Sequence, residues 1–180
     1  MRTGHASDFV PTQFVKRFAP RIAKSAGGLP IADVGCGSGR NASVFLNLGC
    51  KVICLDKDLS QLKLRSVLQS FPQNIEAVQV DFLSETWPLK TASVGGIINV
   101  HFLLPTLFRS FTRSLIPGGY LLIQTVPGCG GNYLQLPKPN ELRTVFSEHY
   151  ELEFYQEGLV GPPSCKSATV NLLAKRRPSA

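Results

Sequence analysis

The run Asp33-Val34-Gly35-Cys36-Gly37-Ser38-Gly39-Arg40-Asn41 constrains this chain more than any other stretch. Its three glycines alternate directly after a short apolar strand, Ile31 to Val34, and open a helix predicted over Asn41 to Leu48. Glycine is needed where the main chain turns with positive φ or where a ligand must touch it. The helix start that follows offers free N–H groups to an anion. The spacing is G-x-G-x-G with an acid in front. It matches neither the G-x-G-x-x-G dinucleotide fingerprint nor a phosphate loop ending in Gly-Lys-Ser/Thr.

Around this loop, strand and helix signals alternate. An amphipathic helix is predicted over residues 8–25, with Phe14, Val15, Phe18 and Ile22 at helical spacing; Pro20 is expected to kink or divide it, and Gly27-Gly28 to end it. Further strands are expected at Val52 to Leu55, Ala77 to Val80, Val94 to Val100 and Tyr120 to Thr125. Helices are expected at Asp58 to Phe71, capped by Asp58 or Ser60, and at Thr106 to Leu115, with Pro117-Gly118-Gly119 as the turn that follows. Such alternation with short connections implies parallel pairing and right-handed crossovers, and the apolar strands suit a sheet covered on both faces. The last third differs. A Gly/Pro/Asn-rich loop spans Pro127 to Pro139, a short helix follows near Glu141 to Phe146, and strands at Tyr150 to Gln156 and Ala168 to Ala174 are close enough to form an antiparallel hairpin.

In an open α/β sheet the ligand lies beyond the carboxyl ends of the strands. Three acids stand there: Asp33, Asp56 after the second strand, and Asp81 after the third. A carboxylate at Asp56 can accept both hydroxyls of a ribose, and Asp81 beside Phe82 suits an adenine amine and ring face. Each has a plainer use, since Asp56 could cap the next helix, Asp81 could serve a turn and Phe82 could be core. Taken in order at the right strand ends, they outline an adenosine-shaped crevice.

On these residues the chain resembles the class I S-adenosylmethionine-dependent methyltransferases. Asp33 to Gly39 is similar to that family's glycine motif, Asp56 to its ribose-binding acid and Asp81 to its adenine-side acid; Asn99-Val100-His101 falls beside the reactive methyl, and Pro117-Gly118-Gly119 with Tyr120 to Ile123 is similar to its turn and fifth strand. The resemblance covers residues 28–126 well and the closing hairpin more loosely. It implies a Rossmann-like seven-stranded sheet of order 3-2-1-4-5-7-6 with the seventh strand antiparallel. It implies S-adenosylmethionine as cofactor, held by Asp33, Gly35, Cys36, Gly37, Gly39, Arg40, Asn41, Asp56, Lys57, Asp81, Phe82 and Asn99. Gly39-Arg40-Asn41 also resembles the tellurite-resistance group, although that group's His-Arg pair is not evident around Ser164 to Thr169, and Gly95-Gly96 stands where many relatives carry an acid.

Methyl transfer from a sulfonium is an in-line displacement that needs a base only when the nucleophile arrives protonated. His101 is the candidate base, with packing beside Phe102 and a bond to a main-chain carbonyl as its alternative use. Arg40 is a candidate partner for the methionyl carboxylate or an anionic acceptor. Asn132 and Tyr133 are candidates to line the acceptor pocket, and Cys129 is a nucleophile without a visible base.

Composition bounds the rest. A chain of 180 residues with 43% hydrophobic content allows one domain, divided here into an N-terminal helical segment (1–27), a cofactor core (28–126) and an acceptor-side loop with hairpin (127–180). The five cysteines, Cys36, Cys50, Cys54, Cys129 and Cys165, contain no Cys-x-x-Cys, which argues against a disulfide framework or structural zinc and for reduced thiols and no metal. With no signal-peptide run and no apolar stretch near ~20 residues, a cytoplasmic protein without membrane contact is expected. The net charge of +7 sits at the ends: residues 1–30 carry +4, residues 171–180 carry +3, and the body is neutral. With no second domain to grip a large substrate, a small-molecule acceptor is expected, for a monomer or homodimer. The alternatives are an RNA or protein methyltransferase docking through the basic N-terminal helix, or a cofactor-binding module without catalysis.

Overall fold

The structure is a computed structural model that describes residues 10–63, 70–125, 136–161 and 167–178. Helix α1 (Gln13–Ser25) begins at Thr12, whose hydroxyl accepts from the Val15 N–H at 3.3 Å. It runs through Pro20 unbroken. An interior proline costs about 3 kcal/mol. The helix buries Phe14, Val15, Phe18, Ala19 and Ile22, and large apolar side chains return ~1.5–3 kcal/mol each on burial. Packing outweighs the proline, and the predicted division does not occur.

Strand β1 (Ile31–Val34) leads to α2 (Ala42–Asn47), β2 (Val52–Asp56), α3 (Ser60–Lys63) and β3 (Ile75–Gln79). Of the helix predicted over 58–71, residues 64–69 lie outside the described residues. Strand β4 (Val94–Val100) follows, then a 3-10 turn at Pro105–Leu107, α4 (Phe108–Ser114), β5 (Leu115–Gln124), α5 (Glu141–Ser147), β6 (Tyr150–Val160) and β7 (Ser167–Arg176). The sheet order is β3-β2-β1-β4-β5-β7-β6, with β7 antiparallel to both neighbours, as the resemblance implies.

One core layer joins α1 and α2 to the sheet through Ile22, Phe45, Cys54, Ile98 and Leu122. The other joins α4 and α5 through Phe108, Phe111, Phe146, Ile97 and Leu121. The two layers follow from strands apolar at successive positions, whose side chains alternate between faces.

Pro117-Gly118-Gly119 corrects the sequence reading. It lies inside β5, in an irregular register where Val94 pairs with Leu115 but Gly96 pairs with Tyr120. Gly95 has its own reason. A Cβ there would stand 2.5 Å from the Ala26 Cα, so the end of α1 lies directly on β4.

Candidate functional site

The glycine loop is hung from β2. Gly35 and Cys36 N–H groups both donate to the Leu55 carbonyl, at 2.8 and 3.1 Å. Gly35 has φ +72°, and a Cβ there would come within 2.7 Å of the Phe102 ring. It therefore meets both demands that favour glycine, a left-handed backbone and a close approach. Gly37 N–H donates to Asp56 Oδ2 at 2.8 Å, and Asp58 N–H donates to Asp56 Oδ1 at 3.1 Å. Asp56 thus braces the loop and serves its own turn. A carboxylate offers about four lone-pair sites, so two further hydroxyl donors can be taken. Asp58 caps α3 through Ser60 N–H at 2.9 Å, and that bond holds its carboxyl below the usual range.

Asp33 is almost wholly buried. Burial pushes its pKa up to about 7, the Asp56 charge adds to the rise, and the Ala42 N–H and Arg40 oppose it. Its Oδ2 has no partner. Asn99, buried at the end of β4, donates from Nδ2 to the Val34 carbonyl at 3.1 Å, and its Oδ1 has no partner. A buried acceptor without a donor costs ~1–3 kcal/mol. Register sets Asp33 beside Ile98 and Asn99 beside Val34, so the two oxygens lie on opposite faces of the sheet and do not share one site. The positive-φ glycine loop and the spare lone pairs of Asp56 fit the cofactor that the resemblance implies.

Arg40 Nη2 lies 3.0 Å from His101 Nδ1. A guanidinium can only donate, so Nδ1 accepts and the imidazole carries its proton on Nε2. Burial and then the Arg40 charge lower the His101 pKa, which favours the neutral ring. His101 has φ +60°, and its N–H donates to the Gln124 carbonyl at 2.8 Å. A non-glycine residue held there stores strain of order 1–3 kcal/mol.

Other expected residues serve the site differently. Asn41 Oδ1 accepts from Thr12 N–H at 3.1 Å, tying the start of α1 to the loop. Asp81 Oδ1 accepts from Leu83 N–H at 3.0 Å and makes a turn. The Phe82 ring stacks between Trp87 and Phe102, at 5.8 and 5.7 Å. Phe102 therefore links Phe82 to the loop. Lys57 is exposed. The Cys36 thiol is driven up by its hydrogen bond with Cys54 and by burial, and both cysteines are free. Asn132, Tyr133, Cys129 and Cys165 lie outside the described residues. Among the described residues no group of three or more His, Cys, Asp or Glu comes together as a metal site, and no helix is long and apolar enough to cross a membrane.

Sequence reasoning did not single out Thr12 or Gln124, whose Oε1 is a third buried acceptor without a partner. Phe102 was visible only as a neighbour of His101.

A seven-stranded sheet of this order with a glycine loop and acids at its strand ends defines a class of methyl-transfer folds. The model of the methyltransferase domain family matches residues 32–123. The chain belongs to that family, the class I S-adenosylmethionine-dependent methyltransferases. No curated protein matches the sequence. Among solved structures, TehB from Haemophilus influenzae, of the tellurite-resistance type, is similar over 88% of this chain at TM-score 0.63 and 19% identity. This chain spans 61% of that protein's length. The tRNA (m1A58) methyltransferase TrmI from Aquifex aeolicus is similar at TM-score 0.63 and 13% identity, over 96% of this chain and 71% of its own. The 1,6-didemethyltoxoflavin-N1-methyltransferase of Burkholderia thailandensis, solved with 1,6-didemethyltoxoflavin and S-adenosylhomocysteine, is similar at TM-score 0.60 and 16% identity, over 92% and 79%. At these identities the likeness is one of fold.

Proposed function

We propose that the chain transfers a methyl group from S-adenosylmethionine to a small-molecule acceptor. The observation that carries this reading is the glycine loop at the carboxyl end of β1, with Gly35, Gly37 and Gly39 at positive φ and Gly37 N–H bonded to Asp56 Oδ2 at 2.8 Å. When bound, the cofactor supplies an activated methyl on a sulfonium. Asp33 would attract its ammonium, and Asp56 would accept from its ribose hydroxyls. Arg40 fixes His101, the residue after β4, through Nδ1 and leaves the proton on Nε2. The Nδ1 lone pair is occupied, so the reading asks no base of His101 and suits a nucleophile that arrives deprotonated.

The small-molecule reading is favoured over a macromolecular one by the fate of the charges on α1. Arg21 pairs with Glu153 at 2.6 Å, and Arg17 lies over the Phe18 and Phe154 rings at 4.9 and 5.1 Å. Two of the four cations on the helix are thereby engaged within the chain.

Calorimetric titration with S-adenosylmethionine tests the site. Micromolar binding that Asp56→Ala abolishes is expected. A folded chain that binds no S-adenosylmethionine would sink the proposal.

A further inference from the structure

The chain carries a second group of charges that the strand-end crevice does not use. Helix α4 places Arg109 and Arg113 one turn apart, so both leave the same side. Arg176, the last residue of β7, and His149, just before β6, stand opposite. Together with Phe108 and Phe146, which are almost wholly buried, they line a groove of about 720 Å³.

Register places this groove at the far end of the sheet. Arg176 pairs with Tyr150 at the start of β6 and donates to the carbonyl of Leu115, which opens β5. The crevice lies at the other ends of the parallel strands, beyond Val34 and Val100.

The charge balance of the groove is one-sided. Among the described residues its single carboxylate is Glu148, which has His149 as its partner at 3.8 Å. Among the described residues no carboxylate pairs with Arg109 or Arg113. With Arg109 and Arg113 without a carboxylate partner and Arg176 bonded to a carbonyl, the concavity keeps a net positive charge that attracts an anion. Their planar forks match phosphate oxygens. The volume falls within the ~300–1,000 Å³ of small-molecule sites.

We propose that this groove binds a phosphate-bearing anion of about nucleotide size, at a site separate from the methyl-transfer crevice. The phosphate can come from a free nucleotide or from an RNA backbone, and the two are separable. The full chain is titrated by calorimetry with inorganic phosphate, uridine monophosphate and a short oligouridylate, for the wild type and for Arg109→Ser/Arg113→Ser. Uridine is chosen because it lacks the adenine for which the crevice is suited. Uridine monophosphate is expected to bind more tightly than phosphate, and the double variant to lose at least about tenfold. Oligouridylate binding that is lost in the same variant and falls steeply with salt would make the source an RNA backbone. Both replaced side chains are exposed, so the fold is retained, and unchanged S-adenosylmethionine binding by the variant checks this. Absence of binding by all three probes, or equal binding by the double variant, overturns the proposal.

Discussion

Asp33 concentrates the chemistry of the site in one residue. An ordinary aspartic acid releases its proton near 3.8, whereas Asp33 does so at about 7. Between these values the folded chain keeps a proton that the unfolded chain has lost. Asp33's contribution to stability is therefore present at low pH and declines as pH rises from about 4 to about 7. Affinity for a cationic donor moves the other way, because only ionised Asp33 attracts it. Urea unfolding at about pH 5 and about pH 8 should give a wild-type loss of stability that Asp33→Asn lacks. Cofactor affinity should rise over the same interval in the wild type alone, and matching responses in the two proteins would remove Asp33 from both effects. The glycine loop, Asp33 and Asp56 were legible in the sequence because each stands next to its own apolar run. The orphaned oxygen of Asn99 and the ring of Phe102 over Gly35 were not. They depend on β4 lying beside β1, which joins residues 65 apart in the chain.

Elements obey tertiary packing where it conflicts with local preference. Pro20 and Pro117-Gly118-Gly119 were read as interruptions, yet one lies within α1 and the others within β5. Proline and glycine signal breaks through local conformational cost, and the apolar burial that offsets this is invisible to a local reading. Gly95-Gly96 carried the opposite message: the missing acid marks the seat of α1 on β4. Gly95→Ala should cost about 1–3 kcal/mol, because Ala26 main chain must move to admit the methyl group. Urea unfolding measures it, and a loss below about 0.5 kcal/mol would mean that α1 does not rest there.

At the scale of the molecule, the sheet order followed from the alternation of strands and helices, while the length of the closing hairpin did not. β6 runs on to Val160, four residues past the expected Gln156, and β7 starts one residue early at Ser167 and runs two past Ala174 to Arg176. The extra length is stabilised by pairing between strands, a property that neither segment has alone. Ligand binding should be felt by the whole cooperative unit. At a hundredfold excess over Kd, a ligand adds about 2.7 kcal/mol to folding. For a chain of this size that corresponds to a rise of about 5–10 °C in Tm. S-adenosylmethionine should produce such a rise in the wild type and none in Asp56→Ala; a rise of equal size in the variant would detach Asp56 from the crevice.

The bond from Gly37 N–H to Asp56 has a kinetic consequence. The loop is held in its curved form by the same carboxylate that would receive the ribose, so the chain does not search for that form when the cofactor arrives. Entropy lost during folding is not lost again on association. Encounter should therefore behave as docking into a finished mould, with dissociation rather than loop closure setting how tightly different nucleosides are held.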